Sequence, residues 1–454
     1  MNSYLRMFLD RRVAFIFALG FASGFPWSII GKLFGYWLSS AGLTRADIAV
    51  LGGVAMIYAF NFLWAPLLDR VRLPWLCRRF GQRRGWILLA QLGIATGALG
   101  LALIGLQYGP LMVAVAAGLV VVFGATQDVG IDAYRIETIP REEGRKMAAG
   151  ASAATAGWWT GAGLPGAAAF IIAGRTDDFM AAFLFLAVCA LGLILITLLI
   201  PEPESLREQA QAEDEARVRQ ALAGTPGGRR TRQVEAWLIV TVLQPFAEFF
   251  RRNGLQLALA ILVFALIFKI GESFMGRMTP VFYQEIGFTP EQVGWVSGVF
   301  GWFTMVVFVI ISGMINVRFG IFRGLLISGI VMALANLNYA LIALVGPSLN
   351  LFIFAEVVDN LTTAFSTVAY VSFISYLTSQ VYTATQYALL ASISNFGRTS
   401  MAMASGTLVT WLDSWALFFC ITTIMVIPSL ILLWWIRHRL RDRLGDVFAK
   451  APPG

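Results

Sequence analysis

The chain has 454 residues, 58% of them hydrophobic and 13% charged, and a mean hydropathy of +0.73. A soluble protein carries about twice that charge fraction, so a water-exposed globular fold is excluded. The formal charge of +8 invites a nucleic-acid reading, but 28 of the 34 Lys and Arg fall in the termini and in alternate loops, which orients a membrane protein instead.

Apolar stretches of about 20 residues match a ~30 Å hydrocarbon core at 1.5 Å per residue. They predict twelve membrane helices at 13–38, 48–68, 85–105, 110–133, 147–173, 180–200, 254–284, 291–315, 321–344, 349–377, 384–412 and 415–436. Only helices satisfy their own backbone in lipid without closing into a barrel, so the expected fold is all-α. The first span follows Arg11 and Arg12, runs past twenty residues and lacks an A-x-A cleavage site, so it reads as a retained helix. In the fifth, the Gly161–Gly166 stretch has the letters of a dinucleotide fingerprint, but no strand precedes it. Gly157 and Gly161, like Gly20/Gly24, Gly31/Gly35 and Gly294/Gly298, read as faces where helices pack closely.

Hydropathy breaks at 201–232, a charged, breaker-rich stretch with the composition of a linker. The chain therefore divides into a six-helix bundle at 1–200, a linker at 201–253, a second bundle at 254–436 and a tail at 437–454. Within the linker, 236–250 is apolar, broken by Pro245 and followed by Arg251 and Arg252, and it is expected to lie in the membrane plane. The basic loops place both termini in the cytoplasm.

Cys77, Cys189 and Cys420 make no disulfide framework, and His438 lies in the tail. Metal-site and Ser-His or Cys-His chemistry has almost no raw material, so no enzyme, metal or organic cofactor is expected. Any proton pathway here would have to use carboxylates.

The spans nevertheless contain Lys32, Asp128, Asp132, Lys269, Glu272, Arg277, Glu356, Asp359 and Arg398, most of them on spans 1, 4, 7 and 10. A charge at the centre of a helix costs roughly 2.5–3.5 kcal/mol, so such residues persist where they pair or face a polar cavity. Five acids against four bases suit a paired, partly wet interior, the mark of a transport protein. Lys269/Glu272 and Glu356/Asp359 are i,i+3 pairs, each on one helix face. The first is either a structural ion pair or part of the site. The second, with Asn360 beside it, is the leading proton site, because two nearby carboxylates cannot both ionise cheaply in a low dielectric. It could equally neutralise Lys269, Arg277 or Arg398. Asp128 and Glu272 are the next candidates to carry a proton.

The halves repeat weakly. Asp69-Arg70 through Arg83-Arg84 follows span 2, and Asn316 through Arg323 follows span 8. These loops resemble the signature of the major facilitator superfamily, whose two pseudo-symmetric six-helix bundles rock about a central site. Gly20 to Pro26, Phe62 to Arg70, Gln127 to Arg135, Lys269 to Glu272, Glu356 with Asn360, Ala384 to Leu390 and Arg398 are similar to the anhydromuropeptide permease (AmpG) family. Asn61 stands where that family often has Lys, and some members carry two further helices.

The resemblance implies a bacterial inner-membrane carrier working by alternating access and driven by protons. It would import N-acetylglucosaminyl-anhydromuramyl peptides from periplasm to cytoplasm for cell-wall recycling. A siderophore or another acidic solute, as in acetyl-CoA carriers, is the alternative cargo; a non-transporting receptor is a rival of another class. Substrate contacts are expected from Lys32, Gln127, Asp128, Lys269, Asn360 and Arg398, the last as a fork for a carboxylate. A latch between the halves is expected from Asp69, Arg70, Asp132 and Arg135. Trp27, Tyr36, Trp64, Phe274, Tyr283 and Tyr370 are candidates to stack on sugar rings. The partners are then a small glycopeptide and the lipid bilayer, with no nucleic acid, and the protein is expected to be a monomer.

Overall fold

The computed structural model describes residues 9–41, 43, 51, 53–139, 143–176, 178–203, 239, 243–288, 290–379, 381–402 and 404–444. Helical spans occupy all twelve expected places, and no strand occurs among the described residues. In the first half these are α1 (Arg11–Ile30, continued by Lys32–Ser40), α2 (Gly53–Leu63 and Ala65–Arg70), α3 (Gln82–Ile104), α4 (Pro110–Thr138), α5 (Gly144–Thr176) and α6 (Phe179–Leu199). The second half has α7 (Leu255–Ile267 and Ile270–Ile286), α8 (Pro290–Val293 through Gly301–Phe319), α9 (Ile321–Val345), α10 (Leu349–Leu377), α11 (Thr383–Ala402 and Ser405–Leu412) and α12 (Trp415–Ile424 and Ile427–Leu444). Most of the expected linker, and the tail past residue 444, lie outside the described residues.

By length and composition, nine helices among the described residues could cross a membrane. The exceptions are α2, whose apolar part is the short Val54–Leu63, together with α5 and α11. The last two are rich in Gly, Ala, Ser and Thr because they pack against other helices instead of facing lipid.

Each half repeats one packing scheme. α1 lies on α5 as α7 lies on α11, α3 on α4 as α9 on α10, and α3 on α6 as α9 on α12. Glycine permits the tightest of these contacts. A Cβ at Gly24 would lie 2.0 Å from the Trp158 carbonyl oxygen, one at Gly161 2.0 Å from that of Phe21, and one at Gly397 2.2 Å from that of Leu266. The expected close-packing faces at Gly20/Gly24 and Gly157/Gly161 are thus where α1 meets α5. Gly35 meets nothing within 4 Å, so the Gly31/Gly35 expectation fails.

The halves join where α8 crosses α5, and where α11 packs on α2 and α4. The first half has one large apolar core shared by all six helices. That of the second half is split into two clusters, on either side of the level where α7 breaks at Phe268 and Lys269. Polar groups occupy the gap. The short helix Gln244–Asn253 lies at the end of the bundle that also carries Asp10, here the linker face; Pro245 and Phe249 are buried beneath it.

Candidate functional site: a charged interior and a latch at the linker face

At mid-depth in the second half, Lys269 sits at the α7 break, 4% exposed. Its Nζ pairs with Glu272 Oε2 at 2.9 Å and donates to Thr367 Oγ1 on α10 at 2.6 Å. Asp359, one turn past Glu356 on α10, lies within electrostatic reach of Lys269, Glu272 and Glu356, and its carboxylate makes no hydrogen bond among the described residues. Arg398, on α11, is exposed and within reach of Lys269 and Tyr370. Two acids and two bases from three helices therefore surround one interior region.

Glu356 turns away from that region. It accepts from Ser297 Oγ at 2.9 Å and Tyr283 Oη at 3.2 Å, beside the π-helical opening of α8 at Gly294–Phe300. Such π turns are frequent at functional sites. The i,i+3 spacing keeps Glu356 and Asp359 neighbours, but they have different partners. Asn360 follows Glu356: its amide donates to Thr304 Oγ1 at 3.0 Å and to the Gly301 carbonyl at 3.3 Å. Asn360 is buried, and its amide holds α10 to α8.

In the first half, Ser23 Oγ donates to Asp128 at 2.6 Å. Gln127 is fully buried; its amide donates to the Ala22 carbonyl at 2.6 Å, tying α4 to α1, while its Oε1 has no hydrogen-bond partner among the described residues. Lys32 opens the second piece of α1 and Arg277 lies in α7, but the side chains of both fall outside the described residues.

The latch residues gather at the linker face, in a larger assembly than the sequence suggested. Asp69 is 4% exposed and bonds Arg83 Nη2 at 2.7 Å. It also accepts from the Ala384 and Thr385 backbone N–H at 3.2 and 2.9 Å and from Thr385 Oγ1 at 2.7 Å. One carboxylate thus pins the start of α11, where unsatisfied amides and the helix dipole favour an anion. Arg83 also bonds Glu137 at the end of α4 and Thr383 Oγ1 at 2.8 Å. Glu202 accepts from the Arg83 and Arg84 backbone N–H at 2.7 and 3.0 Å, capping α3.

Arg135 bonds Asp132 at 3.0 Å, reaches across to Ser375 Oγ at 2.9 Å, and lies over the Tyr387 ring at 5.3 Å. Arg70 ends α2, half-buried. Deeper in, Ser392 Oγ donates to Asn61 Oδ1 at 2.8 Å. The second half does not copy this latch. Asn316 stands in the place of Asp69 and donates to the Ser312 carbonyl of its own helix at 3.0 Å.

A separate ion cluster at the same face ties the start of α1 to α5. Arg12 bonds Asp10 and Glu143, and Lys146 bonds both acids. Partial burial would raise Asp10, but hydrogen bonds from the Arg12 side chain and backbone and from Lys146 outweigh it, holding the carboxyl down to about 2. Glu143 is lowered by its bonds to Arg12 and Lys146.

Sequence reasoning missed Arg83, Glu137, Thr383, Thr385 and Ser375 as latch partners. Arg83 and the Thr385 block stood in the quoted motifs, but nothing in a linear pattern pairs them. Among the described residues no group of His, Cys, Asp and Glu could hold a metal.

Comparison with known proteins gives this arrangement a family. The model of the Major Facilitator Superfamily matches residues 16–288 and 267–451. The anhydromuropeptide permease of Escherichia coli (strain K12) is 30% identical over 452 residues, covering 98% of this chain and 84% of that one. A Rickettsia conorii protein described as an AmpG 4 transporter is 27% identical over 441 residues, covering 96% and 99%. Among solved structures, the proton:xylose symporter XylE bound to 6-bromo-6-deoxy-D-glucose superimposes with a TM-score of 0.64 at 14% identity, covering 95% and 96%. The human organic anion transporter MFSD10 gives 0.57 at 16%, covering 95% and 100%. At such identities the structures attest the fold alone. The family model over most of the chain and these relatives along nearly its whole length make it a membrane transporter of the anhydromuropeptide permease (AmpG) family within the major facilitator superfamily, and not an enzyme.

Proposed function

We propose that the protein imports anhydromuropeptides across the bacterial inner membrane, driven by protons, with the linker face in the cytoplasm and the chain acting as a monomer. The interior cluster of Lys269, Glu272, Asp359 and Arg398 carries this reading. It offers cations to a carboxylate-bearing cargo and an acid, Asp359, with no hydrogen-bond partner among the described residues to fix it in one protonation state. Asp359 with Glu356 is the proton site, and Asp128 and Glu272 can share the charge.

Cargo contacts come from Lys269, Arg398 and Asp128, and Lys32 remains a candidate toward the periplasm. With the linker face taken as cytoplasmic, the bonds that join the halves there support a cytoplasm-closed reading, with Asp69, Arg70, Asp132 and Arg135 as its gate. The coupling species is a proton alone, and no other cofactor takes part.

The test is uptake of labelled anhydromuropeptide into proteoliposomes, with and without a pH gradient and at both signs of membrane potential. Accumulation that follows an inward proton gradient and collapses with a protonophore is the expected result. Downhill exchange alone would remove the proton coupling. No uptake under any condition would remove the cargo, leaving a siderophore or another acidic solute to be tried in the same vesicles.

A further inference from the structure

We propose that Trp27, Tyr58 and Trp158 form, around Asp128, a saccharide subsite in the N-terminal half that fixes which way round the cargo binds. It rests on the muropeptide reading above and deepens it.

The three rings come from α1, α2 and α5 at the middle of the bundle. Trp27 lies 5.3 Å from Tyr58 at 37° and 6.4 Å from Trp158 at 56°, and none of these contacts is a parallel stack. Trp27 and Trp158 are half-buried, and the one further ring contact of Trp158, with Trp159 at 5.2 Å, is edge-to-face, so their faces are not wholly used up in core packing. Most other candidate rings are used up. Tyr370 stacks on Phe268 at 13°, Tyr283 packs within 4.3 Å of Phe352, Phe274 is buried in core, and Trp64 donates its Nε1–H to Thr126. Tyr36 is exposed but packs on Phe170 and Phe179.

Polar groups complete the subsite. Asp128 Oδ1 is engaged by Ser23, while Oδ2 makes no hydrogen bond among the described residues. The Tyr58 hydroxyl is buried without a hydrogen-bond partner and lies within electrostatic reach of Asp128. A buried hydroxyl left unpaired is costly, and so marks a place where a ligand completes the bonding. Gly124 is what admits it, since a Cβ there would sit 2.2 Å from Tyr58 Oη.

A sugar ring has apolar C–H faces and a hydroxyl rim, so aromatic walls with a carboxylate acceptor and a phenol suit it. A cargo carboxylate beside Asp128 would be repelled, whereas Lys269 and Arg398 across the interior attract it. The disaccharide therefore lies against the N-terminal half and the peptide against the C-terminal half.

The experiment uses the full-length protein in lipid nanodiscs and calorimetric titration with two probes. One is the disaccharide with its lactyl group amidated, hence neutral; the other is a free acidic tripeptide. Trp27→Ala and Trp158→Ala are expected to weaken the disaccharide at least tenfold and the tripeptide less than twofold. Tyr58→Phe, which keeps the ring and its packing, is expected to weaken the disaccharide severalfold, and Arg398→Ala to show the inverse pattern.

Equal losses for both probes in the aromatic variants, or disaccharide binding untouched by all three, would overturn the subsite. If the wild type binds no intact anhydromuropeptide, the cargo reading falls by itself. A panel of neutral disaccharides then decides the subsite: binding that depends on Trp27 upholds it, and none overturns it.

Discussion

Replacing Asp69 by Asn tests the latch most directly. In the structure the carboxylate takes four hydrogen bonds, one from Arg83 and three from the start of α11. Asn keeps the shape but puts an amide donor against either Arg83 or the Thr385 N–H. At least one charged hydrogen bond then becomes a donor–donor contact, and each such bond contributes about 1.5–3 kcal/mol. Removing one partner of a buried charge network costs about 3–5 kcal/mol, and Arg83 is 1% exposed. The three α11 bonds exist only while the linker face is closed, so most of this cost falls on the closed state. At 1.4 kcal/mol per factor of ten, the equilibrium should move on the order of a hundredfold toward an open linker face. Spin labels at Trp75 and Phe319, which are 68% and 45% exposed at that face on opposite halves, report the change by double electron–electron resonance. Cys77, Cys189 and Cys420 would first be replaced. A distance distribution identical to that of the parent, at unchanged thermal stability, would refute the latch.

Lys269→Met alone should destabilise the protein by about 3–5 kcal/mol, because it strands Glu272, while the double change with Glu272→Gln should recover most of it in thermal unfolding. Transport by the double variant would show the pair to be packing, and loss of transport in a stable protein would place it in the site. Asp359→Asn and Glu356→Gln should abolish pH-driven accumulation while sparing downhill exchange in vesicles; normal accumulation by both would move the proton to Asp128 or Glu272. Gly161→Ala should cost about 1–3 kcal/mol through its clash with the Phe21 carbonyl, whereas Gly118→Ala, with nothing within 4 Å, should be neutral or gain up to about 1 kcal/mol in unfolding assays. Asp10 titrates lower folded than unfolded, so its contribution is complete above about pH 4 and is lost as pH falls toward 2. Melting of wild type and Asp10→Asn should differ at pH 5 and converge near pH 2.

Much of the fold is legible in the sequence because a bilayer reduces it to one dimension: where twenty apolar residues run, a helix spans. The ends of α6 and α10 fall within one residue of expectation for that reason, and α4 starts where expected but runs five residues further. α5 and α11 have a weaker apolar signal because they pack on other helices, yet their ends also fall within three residues of expectation. In the site, pairs close in sequence were visible: Lys269 with Glu272, and Asp132 with Arg135. What could not be read is the rotation of each helix. One residue is about 100° around the axis, and that step separates Asp128 from Gln127 and Asp359 from Asn360. In each pair the amide of one neighbour bonds another helix, Gln127 to α1 and Asn360 to α8, while the carboxylate beside it keeps an oxygen without a hydrogen bond among the described residues. Contacts such as Arg83 to Thr383 span 300 residues of chain and depend on the tertiary docking of the halves.

The docking also explains how a cargo could be felt at the gate. α11 carries Thr383 to Thr385 in the latch, Ser392 against Asn61 of α2, and Arg398 in the charged interior. From Thr383 to Arg398 is about 22 Å of continuous helix, short enough to move as one body. On the proposed cargo reading, a carboxylate drawn to Arg398 would pull on the same rod whose end Asp69 holds, and α11 would be a two-state element biased from both ends, as coupling between distant sites requires. The half-to-half asymmetry fits: Asp69 supplies a charged lock where Asn316 supplies none, so the lock grips α11, the helix that bears Arg398. A second ionic lock at Asn316 would clamp the other side of the face without touching that rod, adding to the energy of opening and nothing to its control by cargo.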